Sequence, residues 1–157
     1  MRTNRFYYLS LLLCTLALGF TSCEKEEEED DFDASDLYGY WQTVSASYSL
    51  YIDGELTEEE HYEEGDDLMA VYFDKKKDWY YWEENGYGTI ETEYGGTYSY
   101  KNGKLKVYDE EGSLEAFGDI TTLTSTKMIM ESTQSATAEG VKVKMVSKIV
   151  FRKVDVE

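Results

Sequence analysis

Trp79-Tyr80-Tyr81-Trp82-Glu83-Glu84-Asn85-Gly86, continuing through Ile90–Tyr94 and Gly95-Gly96 to Thr97-Tyr98-Ser99-Tyr100-Lys101-Asn102-Gly103-Lys104-Leu105-Lys106-Val107-Tyr108, is the stretch that decides the fold. Short aromatic and β-branched runs are separated by glycine-containing pairs. Asn85-Gly86 is a strong hairpin signal, because both residues tolerate the positive φ that a two-residue turn needs. Trp79–Trp82 reads as a strand. Period two sends Trp79 and Tyr81 to one face and Tyr80 and Trp82 to the other. One pair is expected to fill the interior, the other to face solvent or a rim. Gly88–Tyr94 continues the hairpin and Gly95-Gly96 is expected to break it. Lys101-Asn102-Gly103 then turns between Thr97–Tyr100 and Lys104–Tyr108.

The same grammar extends in both directions. Upstream, the charged turn Asp74-Lys75-Lys76-Lys77 follows the compact apolar run Leu68–Phe73. Trp41–Tyr51 reads as a first strand ending at Asp53-Gly54, another turn signal. Its two faces are Trp41, Thr43, Ser45, Ser47, Ser49 and Tyr51 against Val44, Ala46, Tyr48, Leu50 and Ile52. Between them Leu56–Asp67 reads as a frayed helical turn or a long loop, since its clustered acids repel one another in an isolated helix. Downstream come Glu110-Glu111-Gly112, Leu114–Leu123, Lys127–Ser132, a polar turn at Thr137–Gly140, and a long last strand, Val141–Val154. A change of phase near Ser147 in that strand predicts a bulge. Eight or nine short strands, with no helix after the N-terminal segment, mean an all-β sandwich or barrel. Consecutive hairpins favour a single antiparallel up-and-down β-barrel, because closure removes both sheet edges. The absence of proline and the 15 tyrosines agree with β structure.

The N-terminal residues read as an export address. Arg2 and Arg5 precede an apolar stretch, Phe6–Phe20, too short to span a bilayer, which takes about 20 apolar residues. A signal-peptide helix is the natural reading. Phe20 at the −3 place argues against ordinary signal peptidase. Phe20-Thr21-Ser22-Cys23 instead supplies an apolar residue, two small ones and a cysteine, as lipoprotein processing requires. Residues 1–22 would be removed, 23–36 would be a lipidated Cys23 and an acidic tether, and 37–157 the folded domain. A diacylglyceryl group on the Cys23 sulfur, with a further palmitate-type chain on its amine, makes a stable membrane anchor. Lys25 followed by Glu26–Asp31 resembles the acidic export signal after the lipidated cysteine of surface lipoproteins in one Gram-negative phylum. That resemblance implies an outer-membrane, cell-surface location.

Charge and composition exclude several functions. The net charge is −18, and the chain from Ala34 onward carries 12 basic and 25 acidic residues. Nucleic-acid binding needs the opposite sign. Cys14 would leave with the signal segment and Cys23 would carry lipid, so no disulfide is expected. His61 is a single histidine in an acidic stretch, too little for triad chemistry or for a zinc site. No catalytic residue, metal or cofactor is assigned, and no enzyme activity is expected. A monomer is expected.

Leu37-Tyr38-Gly39-Tyr40-Trp41, Val71-Tyr72-Phe73, Gly96–Tyr100 running into Leu105-Lys106-Val107, Ile120–Met128, and Ile149-Val150-Phe151-Arg152-Lys153 occur in an order that resembles the small lipocalin-like domains of bacterial lipoproteins, in the wider calycin group. The likeness covers residues 37–154. It implies a barrel whose first-strand tryptophan crosses the base under an arginine from the last strand. Trp41 and Arg152 stand where that structural pair would be, a contact worth about 0.5–2 kcal/mol. The disulfides and C-terminal helix of vertebrate-type lipocalins are not visible here, and a barrel of this size is either filled by its own side chains or holds one small ligand. Two functions follow. One is a carrier of a small apolar or amphipathic molecule, its mouth gated by the acidic segment. The other is an accessory protein of a surface complex, with a filled barrel and an aromatic outer face. Trp79, Tyr80, Tyr81, Trp82, Tyr98 and Tyr100 are the candidate contacts for a ligand, glycan or partner.

Overall fold

The computed structural model describes residues 34–64, 68–84 and 89–156. The signal segment, Cys23, residues 24–33 of the acidic tether and the Asn85-Gly86 turn lie outside the described residues. A 3-10 turn, Ala34–Leu37, leads into nine strands: β1 (Gly39–Ile52), β2 (Glu55–Glu63), β3 (Ala70–Phe73), β4 (Asp78–Glu84), β5 (Ile90–Lys101), β6 (Lys104–Tyr108), β7 (Leu114–Leu123), β8 (Lys127–Ala138) and β9 (Val141–Val154). They run in the order β2-β1-β3-β4-β5-β6-β7-β8-β9, and β1 also pairs with β9. The result is an eight-stranded antiparallel closed barrel with one extra strand, β2.

Local chemistry sets the turns. Asp53-Gly54, Asn102-Gly103 and Glu139-Gly140 each place two successive residues at positive φ, the backbone that matches strand twist in a tight hairpin. Elsewhere a side chain does the work. Asp74 Oδ1 accepts from the Lys76 and Asp78 amides at 2.7 and 2.9 Å. Asp109 Oδ1 accepts from Glu111 and Ser113 at 2.9 and 2.8 Å.

β1 is the strand on which closure depends. One edge pairs with β9 from Tyr40↔Val154 to Ile52↔Val143. The other edge pairs first with β3, over Gly39–Gln42, and then with β2, over Ser45–Ile52. The register slips between Thr43 and Ser45, leaving Val44 as the extra residue of a bulge. The bulge falls where the second partner changes, and it resets the faces. Trp41, Thr43, Ala46, Tyr48, Leu50 and Ile52 therefore share the inner face, which simple alternation divides between two. The bulge expected near Ser147 is absent from β9. Val141, Val143, Met145, Ser147, Ile149 and Phe151 keep one phase and pair with β8 without a slip.

The segment expected to be a loop or helical turn is strand β2. Its acids do not prevent pairing, because alternate residues point to opposite faces and the partner β1 is uncharged from Ser45 to Ile52. Gly95-Gly96 does not end a strand either. β5 runs through it with a slip opposite Trp79 and Tyr80. A Cβ on Gly95 would lie 2.6 Å from the Trp79 ring. The glycine pair is the seat of that indole.

The buried core gathers Leu37, Trp41, Val71, Phe73, Trp79, Tyr98, Leu105, Ile120, Met128 and Phe151 toward the end where β1 begins and β9 finishes. We call that end the floor. At the opposite end β1, β2, β8 and β9 run past the shorter strands as a four-stranded wall. Its inner face continues the barrel interior.

Candidate binding site

The floor is sealed from the chain's own residues. Trp41 is 0% exposed, and its Nε1 donates to the Leu37 carbonyl at 2.7 Å, tying the 3-10 turn across the base. The cation over its ring is Lys153, with Nζ 5.0 Å from the centroid and donating to the Asp36 carbonyl at 2.8 Å. Burial lowers the Lys153 pKa, against the opposing pull of Asp36 and Asp155. Arg152, expected over Trp41, points outward instead, donating to Glu64 at 2.7 Å and to Gln42 at 3.2 Å. The reason is strand parity. Phe151 is inside, so Lys153 is inside and Arg152 is not. On the other side of the floor, Tyr98 donates from its hydroxyl to the Asp74 carbonyl at 2.7 Å and lies under Lys77. Tyr98 is thus a core residue of the base.

Trp79 is also core, its Nε1 donating to the Tyr108 carbonyl at 2.9 Å. Tyr81 follows on the same inner face, edge-on to Trp79 with centroids 4.7 Å apart. Its hydroxyl donates to Glu115 Oε1 at 2.9 Å, linking β4 to β7. Tyr100 is half-buried against the core. Above this layer the inner face changes character. The long wall presents Ala46, Tyr48, Leu50, Met145 and Ile149. Register places Tyr62, Glu60 and Glu58 of β2 beside Ala46, Tyr48 and Leu50, and Glu93 of β5 beside Tyr81. Tyr62 donates to Glu60 at 2.6 Å and stands edge-on to Tyr48 at 6.1 Å. Between floor and mouth, Thr43 is 4% exposed and its hydroxyl has no hydrogen-bond partner among the described residues.

The other half of the aromatic pair faces outward. Tyr94, Tyr80, Tyr72 and Tyr40 form a continuous band across β5, β4, β3 and β1, with successive centroids 5.5, 5.7 and 4.4 Å apart. Trp82 adds an edge contact to Tyr40 at 5.6 Å and donates to the Trp41 carbonyl at 3.1 Å. Tyr94 is 41% exposed. Sequence reasoning missed Tyr40, Tyr72 and Tyr94, which their cross-strand register joins to Tyr80. His61 is exposed on β2, 3.6 Å from Glu59. Among the described residues no group of three or more His, Cys, Asp or Glu side chains is placed to hold a metal ion.

The inner tyrosines carry a stability signature. Burial first, then neighbouring acids, raises the pKa of Tyr48 (Glu60), Tyr81 (Glu115 and Glu93) and, with Tyr38 ahead of Asp74, Tyr98. A group whose folded pKa is raised contributes stability below its unfolded pKa, about 10 for tyrosine, and loses it as pH rises through the folded value. Lys153 works the other way, but one lysine is set against three tyrosines. The urea midpoint should therefore be lower at pH 11 than at pH 9. The share of tyrosinate absorbance that belongs to Tyr48, Tyr81 and Tyr98 should appear with unfolding rather than before it. An unchanged midpoint would contradict this burial.

The lipocalin-like domain family model matches residues 37–130. Among solved structures, bovine odorant binding protein complexed with its natural ligand is 18% identical, covering 83% of this chain and 79% of that one, with a TM-score of 0.33. Its complex with undecanal is 15% identical over the same shares, with a TM-score of 0.34. No curated protein sequence matches. With more than half its length matched by that family model, and with a barrel closed by its first and last strands, the chain belongs to the lipocalin-like domain family.

Proposed function

We propose that the protein is a lipid-anchored, surface-displayed carrier that takes a small apolar or amphipathic molecule into the open end of its barrel. One observation carries the reading: the interior is plugged at one end by the wholly buried Trp41 and Leu37, while toward the other the paired strands β1 and β9 continue the inner face with Tyr48, Leu50 and Met145, none of them fully buried. A one-ended apolar interior is what a small-ligand site requires. The acidic segment belongs to the wall as β2, so it borders the mouth without being a mobile gate. Titration with an apolar reporter dye should show saturable binding of about one molecule per chain. Tyr48→Ala together with Met145→Ala should weaken it, and binding that ignores these changes would place the dye elsewhere.

Anchoring is a separate proposal, supported by Phe20-Thr21-Ser22-Cys23 and the acidic run behind it. Cys23→Ala should move the protein from membrane to soluble fractions. Retention in the membrane would refute lipid attachment. The outer band of Tyr94, Tyr80, Tyr72 and Tyr40 supports the second reading, an accessory protein that meets a glycan or a partner on that face. Stacked rings with hydroxyl edges suit sugar faces. If no apolar probe enters the barrel, this reading takes precedence.

A further inference from the structure

A hydroxyl deep inside the barrel is left unspent. Thr43 is buried on the inner face of β1, and its Oγ1 has no hydrogen-bond partner among the described residues. Its backbone is provided for, since the amide donates to the Met69 carbonyl at 3.2 Å. The Val44 bulge isolates the side chain. Simple alternation would continue the inner face with Ser45, Ser47 and Ser49, but after the slip Ala46, Tyr48 and Leu50 follow instead. Register sets Phe151 beside Thr43 and Ile149 beside Ala46, with Met128 and Met130 next to them on β8. On that side, just above the floor, the hydroxyl is a polar point among apolar groups.

Folding rarely leaves a buried hydroxyl unsatisfied. A lone water answers it poorly, because a buried water needs roughly two to four polar partners and the side chains beside Thr43 in the β1, β9 and β8 register are apolar. An organic guest needs one hydrogen bond there and apolar contact elsewhere. The interior tyrosines are already used. Tyr98 donates to the Asp74 carbonyl, Tyr81 to Glu115 and Tyr62 to Glu60, and Tyr100 is not free. The open hydrogen-bonding capacity therefore lies at the deep end and not at the mouth. Room for a small group can come from Met128 and Met130, whose unbranched side chains repack more readily than the rings around them.

We infer that the barrel takes its ligand head first: a neutral hydroxyl or carbonyl group reaches Thr43 Oγ1 above the floor, and an apolar tail runs back along Ala46, Ile149, Leu50 and Met145 toward the mouth. The inference rests on the carrier reading above and specifies its substrate class and orientation. A threonine hydroxyl both donates and accepts, so it serves an alcohol or a carbonyl. A charged head does not suit that depth. Lys153 is committed to the Trp41 ring and the Asp36 carbonyl, so a carboxylate finds no free cation there. An ammonium finds only Phe151, Ile149 and the methionines in the β9 and β8 register. Taking an unpaired charge out of water costs far more than one hydrogen bond returns.

The experiment is displacement of the neutral dye phenylnaphthylamine from the purified chain by decanol, decanoate and decyltrimethylammonium, each below its aggregation concentration. Decanol should displace the dye at the lowest concentration. Solvation alone favours that order, so the variants decide. Thr43→Val keeps the shape and removes the hydroxyl. It should weaken decanol about fivefold and leave the affinity of the dye nearly unchanged. It should also raise the urea midpoint of the empty protein, because a buried hydroxyl without a partner has been removed. Thr43→Ser should keep the decanol affinity. Thr133→Val, on the exposed face of β8, should leave it unchanged. If either ion binds more tightly than decanol, or if Thr43→Val does not weaken decanol, the head-first inference is overturned while the carrier reading stands. A urea midpoint lowered by Thr43→Val would show the hydroxyl already bonded in the empty protein, and would overturn it equally. If neither the dye nor any probe binds, the carrier reading falls as well.

Discussion

Trp41→Ala should lower the unfolding free energy by about 3–5 kcal/mol, the usual cost of emptying the site of a buried aromatic ring. The side chain is wholly buried at the floor, among Leu37, Phe73, Met128 and Phe151. Truncation removes more than volume. The Leu37 carbonyl loses the indole N–H that holds the 3-10 turn across the base, and the Lys153 ammonium loses the ring beneath it. Against a total stability of about 5–15 kcal/mol for a domain of this kind, such a loss is visible as a large fall in the urea midpoint by circular dichroism. Trp41→Phe should cost less, about 1–2 kcal/mol, since it keeps most of the volume and loses the hydrogen bond. A cost below about 1 kcal/mol for Trp41→Ala would mean that the base is not packed as described.

Gly96→Ala is the second large effect, and its cause lies in the backbone. Gly96 has φ of +138°, and a Cβ there would lie 2.1 Å from the Tyr108 carbonyl oxygen and 2.6 Å from the Asp109 carbonyl carbon. Backbone cannot yield as a flexible side chain does. The Tyr108 carbonyl is also the acceptor for the Trp79 indole, so displacing it disturbs the core contact beside it. Strain at such a φ costs about 1–3 kcal/mol, and overpacking adds about as much. A total near 3–5 kcal/mol is expected. Gly140→Ala is the control: it too has positive φ, at +86°, but a Cβ there meets nothing within 4 Å. It should cost only about 1–2 kcal/mol, the penalty for a left-handed residue with a side chain. Equal losses at the two positions would show that the close approach at Gly96 is not what matters.

The sequence was most readable where the backbone needs special residues. Asp53-Gly54, Asn102-Gly103 and Glu139-Gly140 mark three hairpins, and the runs between them are the strands. It misled where pairing overrides composition. Glu58–Glu64 has a poor strand composition, yet β1 offers it an uncharged edge. The Val44 bulge left no mark, because bulges answer to a change of partner that the local residues do not record. The basal cation, by contrast, was within reach. Phe151 and Lys153 share a phase, so an inward Phe151 already selects Lys153 over Arg152. The site was half visible: Trp79 and Tyr81 versus Tyr80 and Trp82 separate correctly. The acids that meet Tyr81 come from β5 and β7, and only strand order brings them together.

The pairing of β1 with β9 has a consequence for how the chain reaches its final state. Gln42 and Arg152 touch across that seam although 110 positions separate them. Until the fourteen residues of β9 are available, β1 has one bare edge along its whole length. Contacts this distant are slow to form, because a long loop must be ordered before they reward it. A chain in which β9 has not yet paired would thus stay an open sheet, and loss of that strand would leave an exposed edge ready to pair with another molecule.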